Sequence, residues 1–239
     1  MARSRKSRAR RAPRRWLLRL GALVALLGIA FAAWFWWDMR SWRPEETTYP
    51  EQGAVIASGA GPVRFETIRA LGGSFVYLAL PESGGAPDPG FPERLAAARA
   101  AGLKVGVVQR FNPCLRADPQ SAEFTRTVPR DKGFLAPAIA LDSLADACQP
   151  KVSDAAVESE LLTLINQIET HAGKPVILKL SPAFEDRHRT ATTLARDLWL
   201  ARDRARPDYA GRPWLLWSAN SALVSEASEE PIEWVVVQN

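Results

Sequence analysis

Leu135-Ala136-Pro137-Ala138-Ile139-Ala140-Leu141, a helical pattern over residues 155–171 opened by Ser153-Asp154, then Gly173-Lys174-Pro175-Val176-Ile177-Leu178-Lys179-Leu180: this stretch decides the fold class. In its middle, Val157, Leu161, Leu164, Ile165 and Ile168 recur at three- to four-residue spacing, the apolar stripe of a helix that Gly173 closes. The flanking runs are short and continuously apolar rather than alternating. That is the pattern of parallel strands buried on both faces.

Working outward, the same kind of run recurs at residues 53–57, 74–80, 104–108, 214–217 and 233–237. Helical patterns fall between them at residues 63–71, 92–101, 121–127 and 190–202. Residues 94–101 are strongly helix-forming, and Gly102 stops them. Six or seven strand–helix units in one domain predict an α/β fold, a (β/α) barrel rather than a short doubly wound sheet. Chemistry in such a barrel belongs at the C-terminal ends of the strands.

Residues 20–37 carry no charge and are just long enough to cross a membrane as a helix. Trp34, Trp36 and Trp37 crowd one end and Trp16 marks the other, where indole rings favour the interface. Nine Arg and Lys residues precede the run, with no acid among them. The positive-inside rule keeps residues 1–19 cytoplasmic, makes residues 20–37 a single anchor in the plasma membrane, and exports the rest to the periplasm or exterior. The alternative is a cleaved signal, because Ala30-Phe31-Ala32 has a small-x-small cleavage pattern. Arg14-Arg15-Trp16-Leu17-Leu18 also faintly resembles a twin-arginine signal. Both readings export the domain.

The net charge of +5 is therefore topological, since those nine basic residues leave the remaining chain at −4. Nucleic-acid binding is not expected, though the basic tail suits anionic lipid headgroups. Cys114 and Cys148 fit one disulfide in an oxidising compartment, with free thiols or an intermolecular bridge as alternatives. A linker is expected at about residues 38–50 and a single domain at 51–239.

The segments of that domain, taken together, resemble a known family. They run through Phe65-Glu66-Thr67-Ile68-Arg69-Ala70-Leu71-Gly72, Phe75-Val76-Tyr77-Leu78, Asp88-Pro89-Gly90-Phe91 and Ala98-Arg99-Ala100-Ala101-Gly102-Leu103-Lys104-Val105-Gly106. They continue through Ala117-Asp118-Pro119-Gln120, Val128-Pro129-Arg130-Asp131, Leu198-Trp199-Leu200 and Arg212-Pro213-Trp214-Leu215-Leu216-Trp217. Their order and spacing are similar to those of glycoside hydrolase family 25 lysozymes. The resemblance implies a (β/α) barrel that cleaves the N-acetylmuramic acid linkage of peptidoglycan. It also implies carboxylates in the first strand, in an Asp-x-Glu pair ending a middle strand, and near the C-terminus. Two such groups suit glycoside hydrolysis, one donating a proton and the other stabilising or trapping the sugar cation.

This sequence departs from the family where the chemistry belongs. The resemblance puts Val55 on the first Asp, Ala140 on the Asp of the pair and Asp142 on its Glu. Gln109 falls on a His, Lys179 on a Tyr and Ser218 on a Gln, while Glu233 lies near the C-terminal Asp. Asp142 and Glu233 remain as the catalytic candidates. Asp142 is one methylene short, and a misplacement of about 1 Å costs on the order of 10²-fold in rate. Hydrolysis is expected to be weakened or lost, with a non-catalytic glycan- or protein-binding module as the alternative.

Glu82, Gln109, Lys179 and Trp217 are the candidates for substrate binding, Trp217 because indole faces stack on pyranose rings. Core packing competes for Trp199, Trp214, Trp217 and Trp234, and solvated loop charge competes for Glu82. His171, ending a helix where a cation suits the macrodipole, reads as structural, and His188 reads as a lone histidine in a charged turn. Neither has a ligand partner at metal spacing, so no metal and no cofactor are expected.

Overall fold

A computed structural model describes residues 12–238. The expected basic tail lies for the most part outside the described residues. Two compact units divide the chain, with the boundary after Ser41. The first holds helix α1 (Ala12–Ser41), whose span Leu18–Ser41 is long and apolar enough to cross a membrane and has no buried residue.

The second unit, from Trp42, is a closed eight-stranded barrel in chain order. Its elements are β1 (Gln52–Ile56), α2 (Phe65–Ala70), β2 (Gly73–Ala79), α3 (Phe91–Ala100), β3 (Lys104–Arg110), α4 (Ala117–Thr127) and β4 (Ala138–Leu141). Then follow α5 (Asp154–Ala172), β5 (Ile177–Leu180), α6 (Pro182–His188), α7 (Thr190–Thr193), β6 (Asp197–Ala201), β7 (Leu216–Leu223) and β8 (Ile232–Val237). Strands β1 to β7 pair in parallel, and β8 closes the barrel antiparallel to both β7 and β1. Helices separate the strands only as far as β6. The last two connections have none, so the expected strand–helix alternation stops short of a full circuit.

Helix α5 forms as its sequence predicts. The Ser153 hydroxyl accepts from the Ala156 amide at its start, and Gly173 ends it in the left-handed region at φ 67°. Val157, Leu161, Leu164, Ile165 and Ile168 are all buried, each contributing roughly 1.5–3 kcal/mol.

The helix expected at residues 190–202 is not there. One short turn, Thr190–Thr193, gives way to β6. Leu198, Trp199 and Leu200 are each 0% exposed. Three consecutive buried residues demand cover on both sides, which a barrel strand has and a surface helix lacks.

Two apolar layers follow from strand alternation. The outer one lies between strands and helices; the inner one fills the barrel with Val55, Phe75, Tyr77, Val108, Ala140, Ile177 and Trp199 among others. Tyr77 meets Phe75 and Trp199 edge-on, with centroids 6.0 and 4.9 Å away, and its hydroxyl donates to the Ala136 carbonyl at 3.0 Å. A Cβ on Gly106 would lie 2.3 Å from the Tyr77 ring, so only glycine makes room for this plug. Burial pushes the Tyr77 phenol well above its usual range.

The expected linker is not free chain. Residues 42–50 lie against β1, β7 and β8, the side without crossover helices. Gln52 Nε2 donates to the carbonyls of Pro44 (3.1 Å) and Tyr49 (2.8 Å), and its Oε1 accepts from the Trp234 indole at 2.6 Å. Asn220 donates to the Trp42 carbonyl at 2.9 Å, and Tyr49 packs edge-on to Trp217 at 5.6 Å. The domain therefore starts at Trp42 rather than at residue 51.

Candidate functional site

At the C-terminal ends of the strands the barrel opens into a cavity of about 610 Å³. Val55, Val108 and Ala140 form its apolar base, and Glu82, Arg110, Asp142, Lys179 and Glu233 supply its charge. Strand register explains the convergence. Ala140 of β4 pairs with Arg110 of β3 on one side and with Lys179 of β5 on the other, while Val55 of β1 opposes Glu233 of β8.

The charged side chains form two separate groups. In the deeper one, Lys179 Nζ lies 2.6 Å from both Glu233 carboxylate oxygens. Ser218 Oγ donates a short hydrogen bond to the same carboxylate and accepts from the Trp199 indole at 2.7 Å. The Lys179 ammonium also sits 4.7 Å from the Trp199 ring centroid, within cation–π range. Both members of this ion pair are less than one-fifth exposed.

In the outer group, the Arg110 guanidinium bridges Asp142 (Nε to Oδ2, 3.0 Å) and Glu82 (Nη1 to Oε1, 2.5 Å). Partial burial disfavours the Arg110 charge, but Asp142 and Glu82 outweigh it and raise its pKa further. Ser143 Oγ donates to Asp142 at 3.2 Å. All three cavity carboxylates thus face a cation.

Asp142, Glu233, Glu82 and Lys179 therefore come together as the sequence suggests, and Ser218 joins them from beneath. Two other candidates do not. Trp217 is buried in the outer layer with its indole donating to the Arg202 carbonyl at 2.8 Å, so its ring has no face in the cavity. Strand parity is the reason: Leu216 belongs to the inner layer, and Trp217 must point outward. Gln109 is 1% exposed and also points outward, between β3 and α4.

One residue missed by sequence reasoning is Arg110. Since Val108 faces inward, parity puts Arg110 inside and Gln109 outside, a signal available in the strand pattern itself. Also missed was Asp88, which anchors the cavity rim. Its carboxylate accepts from Ser58 Oγ (3.1 Å) and the amides of Gly59 and Gly90 (both 3.0 Å), and it pairs closely with Arg94. Burial opposes that charge, but the Gly59 amide, Arg94 and Ser58 overcome it and hold the carboxyl below its usual range.

Neither histidine reaches the cavity. His171 Nε2 lies 2.8 Å from the Val128 carbonyl, while its Nδ1 accepts from Arg130 at 3.3 Å. The ring thus ties the end of α5 to the segment after α4, a structural role. His188, read from sequence as lying in a charged turn, is instead buried at the end of α6 with its ring 4.5 Å from that of Phe184. Cys114 and Cys148 form a disulfide with Cα atoms 5.2 Å apart, joining the loops after β3 and β4 beside the cavity.

Comparison with known proteins places this geometry. No curated protein sequence matches the chain. Among solved structures, a family 25 glycosyl hydrolase from Bacillus anthracis superposes with a TM-score of 0.73 at 22% identity, covering 82% of this chain and 92% of the other. A lysozyme from Streptomyces coelicolor gives 0.67 at 14% identity, covering 79% and 92%. A muramidase from Trichobolus zukalii gives 0.63 at 17%, covering 79% and 94%. At these identities the likeness speaks to the fold. The sequence pattern of glycosyl hydrolases family 25 matches residues 56–223, more than half of the chain, and the chain belongs to that family.

Proposed function

We propose that this protein holds peptidoglycan glycan in the barrel cavity and that its capacity to cleave the N-acetylmuramic acid linkage is weakened or lost. The observation that carries this reading is the pairing of the cavity carboxylates. Asp142 and Glu82 share Arg110, and Glu233 is clamped by Lys179. Glycoside hydrolysis needs one carboxyl protonated beside another that is charged and free to meet the sugar. At Val55 and Ala140, where the family resemblance calls for carboxylates, the cavity is apolar. Asp142 and Glu233 are the remaining catalytic candidates; Glu82 and Lys179 are the groups that meet sugar hydroxyls.

The proposal extends to topology. Residues 20–37, within the helix Ala12–Ser41, span the plasma membrane once, with residues 1–19 cytoplasmic and the barrel on the outer face near the cell wall. The supports are the length of the apolar run and the charge asymmetry before it.

The test uses the full chain in detergent micelles with isolated peptidoglycan. The protein is expected to sediment with the wall while releasing few reducing ends. A triple variant, Val55→Asp with Ala140→Asp and Asp142→Glu, is expected to raise that release by about tenfold or more. Rapid wall clearance by the unmodified protein, abolished by Asp142→Ala, would overturn the weakened-hydrolase reading. Absence of sedimentation would overturn the glycan reading.

A further inference from the structure

Cys114 and Cys148, the chain's two cysteines, join the loop after β3 to the loop after β4. Arg110 ends β3 and Asp142 follows β4, so the two loops also share the ion pair that meets in the cavity at 3.0 Å. Their attachment to the barrel is unequal.

The first loop is held from within. Gln120 of α4 is 0% exposed, and its amide group is committed to residues 112–116. The nitrogen donates to the carbonyls of Asn112 (3.0 Å), Leu115 (3.1 Å) and Arg116 (3.2 Å), and the oxygen accepts from the Asn112 amide at 2.9 Å. Phe111 is fully buried, and its amide donates to the Ala140 carbonyl at 2.9 Å. A satisfied buried polar network of this kind rigidifies the backbone around it.

The second loop has no such support. Among the described residues, Cys148 alone is buried between Asp142 and Ala156. The backbone of residues 142–152 bonds only within itself, the Cys148 amide donating to the Ala145 carbonyl at 3.1 Å. Leu144, Ala145 and Val152 rest partly buried on the core. Two ion pairs of exposed groups add to this, Asp142 with Arg110 and Asp146 with Arg187 at 4.0 Å, a kind of contact worth little in water. Asp142 is thus held upstream by β4, and its first buried anchor downstream is Cys148.

We propose that the Cys114–Cys148 bond is the mooring that positions Asp142 against Arg110, and that a dithiol reductant releases it. Cys114 is exposed and Cys148 is 3% exposed, so the reductant's thiolate attacks Cys114 Sγ. The S–S bond breaks, and Cys148 leaves as a thiolate that takes a proton. The reductant's second thiol then displaces Cys114 from the mixed disulfide. Two electrons have passed to the protein, which holds two thiols, and the reductant departs as a disulfide. The loop after β4 comes free, while the loop after β3 stays on Gln120. Binding in the cavity must then order the freed loop as well, which weakens it. This effect on binding rests on the glycan reading of the cavity; the mooring does not.

The test is limited proteolysis by trypsin on the full chain in detergent micelles. Lys151 and Arg116 are exposed cleavage points, one in each loop. The oxidised chain is compared with the chain reduced by dithiothreitol and capped with iodoacetamide, with a reduced and reoxidised sample, and with Cys114→Ser/Cys148→Ser. Cutting at Lys151 is expected to quicken about tenfold or more wherever the bond is missing, with Arg116 little changed, and to return to its first rate on reoxidation. Sedimentation with peptidoglycan is expected to weaken about fivefold in the same samples and to recover in the reoxidised one. An unchanged rate at Lys151, or an equal rise at Arg116, overturns the mooring. Faster cutting at Lys151 with undiminished sedimentation overturns its control of the cavity. If no sample sediments with peptidoglycan while Lys151 still responds, the glycan reading falls and the mooring stands.

Discussion

Replacing Lys179 with Met keeps the length of the side chain and removes its charge, leaving Glu233 without its cation. Charges about 3 Å apart attract by roughly 5 kcal/mol at an effective dielectric near 20, before desolvation is subtracted. Removing one partner of a fully buried pair costs about 3–5 kcal/mol. Here each side chain keeps just under a fifth of its exposure and Ser218 still donates to the carboxylate, so roughly 2–3 kcal/mol is expected. The measurement is urea unfolding of the full chain in micelles, followed by tryptophan fluorescence, which the Trp199 ring beside Lys179 makes sensitive to this site. A double-mutant cycle completes the argument. Glu233→Gln alone is expected to cost a similar amount, and the Lys179→Met/Glu233→Gln double variant about 2 kcal/mol less than the two single costs combined. Simple additivity of the two singles would refute the coupling, and with it the view that this pair neutralises the carboxylate.

Three further outcomes are expected. Cys114 and Cys148 are 34 residues apart, so reducing their bond or replacing both with Ser should cost up to about 4 kcal/mol by loop-closure entropy, read as a lower urea midpoint. Asp88→Asn leaves Arg94, 11% exposed, without its carboxylate and should cost about 2–4 kcal/mol at pH 7. Because the folded-state pKa of Asp88 is depressed, its contribution is present above the unfolded value near 4 and fades as pH falls below it. The difference between Asn variant and parent should therefore shrink between pH 5 and pH 3 in matched unfolding curves. Gly106→Ala drives a methyl into the Tyr77 ring and should cost about 1–3 kcal/mol, visible as a lower Tm by circular dichroism.

Much of the barrel was legible because its signals are local. The stripe of α5, its cap at Ser153 and its stop at Gly173 are each decided within a turn or two of chain. The failure at residues 190–202 has a different character. Thr190 to Thr193 do begin a helix, but Leu198-Trp199-Leu200 is claimed by the gap between β5 and β7, a demand made by distant parts of the chain. The antiparallel closure by β8 was likewise invisible, since a short run of strand-forming residues reads the same in either direction. In the cavity, Asp142, Glu233, Glu82 and Lys179 were found from strand ends and family resemblance. Gln109 and Trp217 were assigned to the cavity without regard to strand parity, which turns each of them to the outer layer. Neither ion pair was legible, because Arg110 and Lys179 find their partners across 32 and 54 residues of sequence.

Residues 42–50 do the work of a missing helix by covering β1, β7 and β8, and this has a consequence for shedding. A protease that cuts upstream of Trp42, including at Ala30-Phe31-Ala32, leaves the chain of the second compact unit whole. One that cuts between Tyr49 and Pro50 strips Tyr49 from Trp217 and the carbonyl partners from Gln52, baring indole surface in the released product. Release from α1 and loss of solubility are thus separated by a few residues of chain. Limited proteolysis that maps the first stable N-terminus upstream of Trp42 would mark that border.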